Sequence, residues 1–581
     1  METRLFVLAG YALVLLAIGA MARTRLGESP VSYFLADRRL GGAVLLATMA
    51  ATNFSAFTVF GVSGAGYRDG WAFFPVMGFG TGFMALTFWV IGRRAWRIGR
   101  EQGLITPAEL VGHLYGSPAL SALFSLAMIV FTLPYLALQP LAAGYALEEL
   151  LGIPAFAGAA CVTGLVVLYT LRGGLRAVAW TDVFQGVLLF GLLLAAAVVA
   201  AHHHGGFAAA SGAVFAHRPE LFGRPGAQGV YLPGIWFSYL ALWFFCDPMF
   251  PQLFQRFFAA RDEKAIGRMM LAYPLLCTVL FAAPVAVGVL GHLSFPGLSG
   301  KQADRILPML MSAAAGDLFA ALVVTAGLAA LMSTLDSQLL TLSALFTRDL
   351  LPRLLPGTRS NALAGRLFVV ALGLAGLSLS YRPPATILEI ATASFTGLAV
   401  LFPTVVFGLY LQRPPAAAAV ASILAGEAAL VLFQTGRIDP GPFLPVVGVM
   451  AAAFGAYGAV WAAGRLRRRE SLWGIPGWVR NPWVAVQAAI FVLAHDLWAW
   501  GVEGPLVAGV PAWAGHFVAL SLAQTAAMAA MLRRKEAQAD PPQAAAAPLQ
   551  AMSPARRRIA AIAARSSGPE GKSGGRGSPP K

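Results

Sequence analysis

An apolar stretch of this chain carries a cluster of side-chain oxygen atoms. Within residues 330–341, Ser333, Thr334, Asp336 and Ser337 interrupt a run of Ala, Leu and Met. Residues three and four positions apart lie on one face of a helix, so Ser333, Thr334 and Ser337 share a face. Hydroxyl residues also mediate packing between membrane helices, but a carboxylate inside an apolar segment is typical of a functional site. Because this face offers oxygen atoms and no positive charge, it predicts a site for a dehydrated cation such as sodium.

The composition indicates the class of protein that must position this cluster. Of the 581 residues, 58% are hydrophobic and 12% are charged, against roughly 25% charged residues in an average soluble domain. A soluble protein of this composition would expose large apolar patches, so we predict an all-α membrane protein that crosses the lipid bilayer many times. The net charge of +16 then reflects membrane topology and gives no reason to expect a nucleic-acid partner.

The apolar runs predict fifteen transmembrane helices, because about 20 apolar residues are needed to cross roughly 30 Å of hydrocarbon. If the N-terminus lies outside the cell, 34 of the 42 lysine and arginine residues fall on the cytoplasmic side. Cytoplasmic loops carry such an excess, so we expect a multi-pass protein of the cell (inner) membrane with a cytoplasmic C-terminus. The predicted spans are 4–22, 43–66, 72–92, 118–142, 153–171, 179–200, 230–247, 271–293, 315–341, 364–380, 385–411, 416–434, 443–464, 482–502 and 511–532.

The second span contains a predicted break. Thr52, Asn53 and Ser55 interrupt its apolar run near the middle, and glycines crowd its second half. Non-helical backbone at membrane depth is tolerated only where it lines a cavity, and transporters use broken helices to present carbonyl oxygens to sodium. Small residues also serve close helix packing. The hydroxyl cluster at 333–337 favours the transport interpretation.

A third segment joins spans five and six. Residues 172–185 contain Gly173 and Gly174, which suit a tight cytoplasmic turn, and then Asp182 near the start of span six. A carboxylate near a helix N-terminus is stabilised by the helix dipole, so an ordinary capping role is one interpretation. The alternative is that Asp182 contacts a cation as it leaves toward the cytoplasm.

Three motifs resemble those of a known family. They are Gly-Gly-Leu-Arg-Ala-Val-Ala-Trp-Thr-Asp-Val-Phe-Gln at 173–185, Gln-Arg at 255–256 with Ala-Arg-Asp-Glu-Lys at 260–264, and Leu-Met-Ser-Thr-Leu-Asp-Ser-Gln-Leu-Leu at 331–340. Their order and spacing are similar to those of the sodium:solute symporters, which carry sugars, proline, pantothenate, sialic acid and monocarboxylates. The resemblance covers about residues 30–465. It implies a LeuT-like core of two inverted five-helix repeats, spans two to six and seven to eleven, with flanking helices.

The resemblance also implies how the chain is organised. The regions are 1–42 (the first transmembrane helix and a cytoplasmic loop), 43–411 (the inverted-repeat transport core), 412–481 (peripheral helices of the family), 482–534 (two additional transmembrane helices) and 535–581 (a disordered basic cytoplasmic tail).

A main sodium site is implied at the break in span two. The backbone carbonyls of Ala51 and Phe54 would bind the ion, together with the Ala330 carbonyl and the hydroxyls of Ser333 and Thr334. Five oxygen ligands suit a hard monovalent cation, because each replaces a lost water molecule.

Some relatives hold a second cation, and the matching residues here are Asp182, Asp336 and Ser337. The pair is Asp-Ser in this chain rather than two serines, which adds a negative charge. That charge would either tighten the binding of a second sodium ion or make the site titrate with protons.

The implied solute site lies near the middle of the bilayer, between spans two, four, seven and eleven. Its candidate residues are Ser55, Phe57, Tyr135, Gln139, Trp243, Phe244, Thr392, Ser394 and Phe395. Aromatic residues in such positions also serve packing, and Gln139 could instead bridge two helices.

The function implied by the resemblance is sodium-coupled symport of a small organic solute into the cytoplasm by alternating access. A faint similarity of span four to monocarboxylate and amino-acid carriers favours those solutes. The alternatives are a proton-coupled carrier, an ion-gated channel, or a transporter-like membrane sensor that works with a separate signalling partner. The sequence has no nucleophile elbow, phosphate loop or paired His and carboxylate at metal-ligand spacing, so an enzyme is not expected.

Overall fold

A computed structural model describes residues 2–22, 29–355, 362–383, 385–469, 481–501 and 503–533. The predicted tail at 535–581 lies outside the described residues. Residues up to Arg533 form one compact unit.

Almost every element of the described chain is helical, as the composition predicted. Short 3-10 turns lie at Ala36–Arg38, Gly70–Phe73, Pro219–Leu221, Asp247–Met249, Gly291–Leu293, Gly300–Arg305 and Leu497–Ala499, and π-helical turns at Phe57–Gly61, Phe88–Gly92 and Phe346–Leu350. A two-stranded antiparallel ribbon joins β1 (Leu506–Val507) to β2 (Val510–Pro511). The α-helices are α1 Glu2–Met21, α2 Pro30–Leu35, α3 Gly42–Asn53, α4 Val62–Asp69, α5 Phe74–Phe83, α6 Arg93–Glu101, α7 Pro107–Tyr115, α8 Pro118–Leu151, α9 Ala155–His203, α10 Phe207–His217, α11 Pro233–Cys246, α12 Pro251–Ala259, α13 Glu263–Leu290, α14 Ile306–Ala314, α15 Asp317–Leu345, α16 Leu351–Leu354, α17 Ala362–Ser380, α18 Ile387–Ala399, α19 Phe402–Tyr410, α20 Ala416–Gln434, α21 Pro445–Arg467, α22 Pro482–Leu493 and α23 Ala514–Arg533.

Twelve helical segments of the described chain are long and apolar enough to cross a membrane. The predicted count of fifteen is therefore not confirmed. The difference lies in broken or short helices: α3 has 12 residues and α11 has 14, and the segment 155–171 is also shorter than a full span. Breaks in the backbone leave each of these apolar segments shorter than a full span.

The second span is broken where the polar residues predicted it. Helix α3 ends at Asn53, and Phe54 follows in an extended conformation with φ −85° and ψ 92°. Helical structure resumes in the π-helical turn that begins at Phe57. The amide of Ala56, freed by the break, donates to Oε1 of Gln139 at 3.1 Å. A buried backbone donor needs such a partner, so Gln139 stabilises the interruption.

The seventh span is also broken. Helix α11 ends at Cys246, the turn Asp247–Met249 follows, and α12 begins at Pro251 after extended backbone at Phe250. Pro251 explains the position, because proline lacks an amide hydrogen and disfavours a helical conformation in the residue before it, here the extended Phe250.

Helix α9 contains the predicted turn between spans five and six. Gly174 has φ 56° and ψ −164°, a conformation that is essentially restricted to glycine. A Cβ atom at Gly174 would lie 2.6 Å from the carbonyl oxygen of Tyr33. Glycine is therefore required here for its conformation and for the close approach of the Tyr33 backbone.

Helix α15 lies at the centre of the bundle. Its residues are almost all buried from Ala320 onward, and it packs against α8, α9 and α3. Burial on every face indicates a position surrounded by other helices. The hydroxyl cluster therefore faces protein rather than lipid.

The last two helices pack against one side of the core. Helix α23 contacts α13 and α5 along its length, and α22 packs on α23. Gln524 of α23 donates to the carbonyl oxygens of Gly82 and Phe83 at 3.3 Å. These contacts join α23 to α5 and α13, and α22 to α23.

Candidate functional site

The break in span two lies directly beside the hydroxyl pair of α15. Oγ of Ser333 donates to the carbonyl oxygen of Ala51 at 2.8 Å and lies 3.0 Å from that of Ala330. Oγ1 of Thr334 donates to the carbonyl oxygen of Thr52 at 2.9 Å and lies 3.2 Å from that of Ala330. Four of the five predicted sodium ligands thus meet, and Thr52 contributes a carbonyl that the sequence did not single out.

These oxygen atoms have the chemistry of a sodium site. Ala51, Ala330, Ser333 and Thr334 are at most 1% exposed. A hydroxyl hydrogen can rotate away, so each hydroxyl can exchange its bond to a carbonyl for a bond to a cation. Phe54, the fifth predicted ligand, is the first extended residue after α3, and its ring packs on Tyr273 and Phe281.

The predicted second cation site contains an arginine. Nη2 of Arg256, from α12, lies 2.9 Å from Oδ2 of Asp182 and 2.7 Å from Oγ of Ser337. The same atom lies 2.5 Å from Oγ1 of Thr52. Asp182 also accepts a hydrogen bond from Thr48. The Asp182 side chain is fully buried and paired, so it does not act as an exposed helix cap.

Asp336 belongs to the same cluster. Its Oδ2 accepts from Tyr169 at 2.8 Å, and its Oδ1 accepts from Ser337 at 3.2 Å. The cluster therefore holds two carboxyl groups and one guanidinium. The sequence analysis identified Arg256 only as part of a family motif. A signal that could have indicated its role is that it is a basic residue within an apolar, aromatic segment.

A cavity lies between the two breaks. Four of the predicted solute residues line it: Phe57, Tyr135, Trp243 and Phe395. The remaining lining residues are Asn53, Thr58, Met77, Thr81, Asp247, Phe250 and Phe281.

The other predicted solute residues lie outside this lining. Oγ of Ser55 accepts from the Phe57 amide at 3.2 Å and so stabilises the break. Phe244 packs against Phe83, Phe245 and Phe402. Thr392 and Ser394 donate to the carbonyl oxygens of Glu389 and Ile390 within their own helix. Gln139 does not line the cavity. Its side-chain oxygen accepts from the Ala56 amide, and its side-chain nitrogen donates to the Tyr135 carbonyl.

Asp247 is the most informative residue that the sequence did not single out. It lies at the break of span seven, is 2% exposed and lines the cavity. The signal that could have found it is a carboxylate within an apolar aromatic run, followed at once by Pro248. An intramembrane carboxylate of this kind is expected to be functional.

The chain is similar to known transport proteins in sequence and in structure. The chain is 27% identical over 456 residues to the sodium/pantothenate symporter of Escherichia coli, covering 76% of this chain and 92% of that protein. It is 26% identical over 434 residues to the high-affinity proline transporter PutP of Bacillus subtilis, covering 73% and 91%. A solved structure of a Na⁺-coupled sialic acid symporter superposes with a TM-score of 0.65 at 18% identity, covering 78% of this chain and 95% of that one.

The family assignment follows from the extent of the match. The sequence model of the sodium:solute symporter family matches residues 33–426, which include both breaks and the hydroxyl pair. The structural likeness shows that the chain has the fold of Na⁺-coupled symporters. The chain therefore belongs to the sodium:solute symporter family, as the sequence motifs predicted.

Proposed function

We propose that this sodium-coupled symporter binds its coupling ion between the carbonyls of Ala51, Phe54 and Ala330 and the hydroxyls of Ser333 and Thr334. The observation that carries the proposal is the 2.8 Å contact from Oγ of Ser333 to the Ala51 carbonyl, across the break in span two. An ion held there joins the broken helix to α15. Sodium binding can then favour one arrangement of these two elements, which couples it to solute binding.

The solute site proposed for this chain is the cavity beside Phe57, Tyr135, Trp243 and Phe395. Both broken helices contribute to it, and such breaks are where transporters of this kind bind their solutes. Its mainly aromatic lining with a few polar groups is typical of a small-molecule site. A small organic solute is carried, and we propose a monocarboxylate or an amino acid.

A single sodium ion is proposed for each transport cycle. The Arg256 guanidinium already supplies a positive charge among Asp182, Ser337 and Thr52. A second sodium ion would have to displace that guanidinium, because two cations in one buried cluster repel strongly at low dielectric. Asp336 provides the second carboxyl group of the cluster. This carboxyl group can bind a proton in place of a second sodium ion.

The proposed orientation has the N-terminus outside and the C-terminus in the cytoplasm of the cell (inner) membrane. It rests on the excess of basic residues in alternate loops. With an inward sodium gradient, a membrane potential adds about 2.3 kcal/mol per 100 mV for each charge moved. The solute is therefore proposed to be concentrated in the cytoplasm by alternating access.

We propose the region boundaries that the sequence indicated, and the contacts between helices support them. Residues 43–411 contain both broken helices and α15, and 482–534 contain α22 and α23, which pack on the outside of the core. Residues 1–42 and 412–481 are proposed as flanking segments.

Uptake into proteoliposomes tests the proposed function. The purified protein is given labelled L-proline, L-alanine, pantothenate or propionate, with an inward gradient of sodium, potassium or protons. We expect saturable accumulation of at least one solute under the sodium gradient only. Accumulation under the proton gradient alone would contradict sodium coupling, and currents that do not saturate with solute would indicate a channel.

A further inference from the structure

Resting on the proposed function, we propose that Asp247 binds a cationic nitrogen of the solute and that the solute is an amino acid. Of the two solute classes proposed above, Asp247 favours the amino acids over the monocarboxylates. Its basis is one carboxyl group, the rings around it and two unpaired polar groups in the same cavity.

The Asp247 carboxyl group has no positively charged partner among the described residues. Its side chain contacts two uncharged groups, Sγ of Cys246 at 3.4 Å and the side-chain amide of Asn53. By contrast, the buried carboxyl group of Asp182 is paired with the guanidinium of Arg256. A buried charge is normally paired. The cavity beside Asp247 is where its partner can bind.

Aromatic rings surround the space next to this carboxyl group. The Phe395 ring lies 4.8 Å from Tyr135, 4.9 Å from Phe250 and 5.6 Å from Trp243, between ring centroids. The Phe57 ring lies 5.9 Å from Trp243. Ring faces attract cations and offer nothing to a carboxylate. Five rings beside one carboxyl group therefore suit an ammonium or a ring nitrogen that carries a positive charge.

Two polar groups in the cavity lining complete the argument. Nε1 of Trp243 and Oγ1 of Thr81 are buried and have no hydrogen-bond partner within the described chain. The indole N–H is a donor only, so its partner must be an acceptor. A solute with a cationic nitrogen and a carboxylate supplies both complements, the nitrogen to Asp247 and a carboxylate oxygen to Trp243. A bare monocarboxylate would leave Asp247 unpaired and would bring a second negative charge close to it.

Matched pairs of solutes test the inference. Purified protein in saturating sodium is titrated with L-proline and with cyclopentanecarboxylate, and likewise with L-alanine and propionate, while its thermal unfolding is followed. The members of each pair have nearly the same shape and differ at the nitrogen. We expect the nitrogen-bearing member of at least one pair to bind at least about tenfold more tightly. Asp247→Asn should remove that preference, and the control Asp439→Asn, in an exposed loop, should keep it.

Three outcomes would overturn the inference. They are equal or tighter binding of the carboxylates, no binding of either amino acid, and a preference that Asp247→Asn leaves unchanged. The wild-type comparison alone decides the first two, so a variant that fails to fold does not obscure them. Repeating the titrations with potassium in place of sodium separates this inference from sodium coupling. Solute affinities that are the same in potassium as in sodium would contradict the proposed coupling, while a preference that still needs Asp247 would leave the Asp247 assignment intact.

Discussion

Nη2 of Arg256 lies 2.9 Å from Oδ2 of Asp182, and neither side chain is exposed. The pair joins α12, after the break of span seven, to α9. Because Nη2 also lies 2.7 Å from Oγ of Ser337 and 2.5 Å from Oγ1 of Thr52, one arginine joins four helices: α12, α9, α15 and α3. A protein-derived cation thus lies where the family resemblance implied a second metal ion.

Arg256→Gln should create room for a second sodium ion. The change leaves two carboxyl groups and the hydroxyls of Thr52 and Ser337 without a cation. Cooperativity is limited by the number of sites, so the Hill coefficient for sodium should rise from about 1 toward about 2. Sodium activation of solute uptake in proteoliposomes measures it.

The double variant Asp182→Asn with Arg256→Gln is the control. Breaking one member of a buried ion pair costs about 3–5 kcal/mol, whereas removing both charges costs far less. The double variant should fold well and keep a Hill coefficient of about 1. A well-folded Arg256→Gln protein with unchanged sodium dependence would refute the internal-cation proposal.

Replacing Ser333 and Thr334 together by alanine should weaken sodium activation while leaving folding nearly intact. Two ligand oxygens are lost at little cost in volume. If each lost oxygen–sodium contact is worth as much as a hydrogen bond to a charged group, about 1.5–3 kcal/mol, the sodium concentration for half-maximal uptake should rise by at least about tenfold. Uptake at a series of sodium concentrations measures the shift.

Thr325→Ala is the matched control for this change. Thr325 lies on the same helix, is 2% exposed, and donates to the carbonyl of Ala321 in its own helix. Its replacement should leave sodium activation unchanged. Equal shifts in the two proteins would indicate a general loss of α15 packing instead of a lost sodium site.

Gly174→Ala should destabilise the turn between spans five and six. The backbone at Gly174 has φ 56°, and an added Cβ would lie 2.6 Å from the Tyr33 carbonyl oxygen. Strain of this kind costs about 1–3 kcal/mol, before the steric clash is added. Thermal unfolding of the purified protein should occur at a lower temperature.

Gly164→Ala gives the comparison for Gly174. Gly164 lies in the same helix α9, and a Cβ atom there would meet no atom within 4 Å. Alanine has the higher helix propensity, so the unfolding temperature should stay the same or rise. The same fall in both variants would show that α9 tolerates no added methyl group, and the argument from φ would fail.

Arg224→Gln should lower stability without changing sodium dependence. Arg224 pairs with Asp496 at 3.0 Å, both side chains are fully buried, and the guanidinium lies 4.4 Å from the Trp500 ring centre. Burial lowers the pKa of Arg224 to about 10, against the opposing effect of Asp496, so it stays charged at neutral pH. The pair joins the loop before α11 to the segment between α22 and α23.

Removing one charge of such a pair costs about 3–5 kcal/mol, so unfolding of the Arg224→Gln protein should begin at a clearly lower temperature. The sodium concentration for half-maximal uptake should match that of the wild type, because the pair lies outside both proposed binding sites. A changed sodium dependence would instead connect the last two helices to coupling.

The amino-acid sequence by itself determined the membrane class, the family motifs, the break near Asn53 and the oxygen-rich face of α15. Each of these depends on local composition or on spacing within one helix, where periodicity is informative. The turn at Gly174 was likewise predictable, because paired glycines between two apolar runs favour it.

Only the tertiary structure decided which helices meet. Periodicity shows which side chains share a face, but it carries no information on which distant segment that face contacts. For that reason the sequence identified Arg256 only as part of a motif. In the structure it contacts Asp182 and Ser337, which are 74 and 81 positions away in the sequence. Asp247 was missed for the same reason, since the cavity beside it is lined by aromatic rings from four other parts of the chain. Long-range packing brings these groups together in a low-dielectric interior, where an unpaired charge must find a partner.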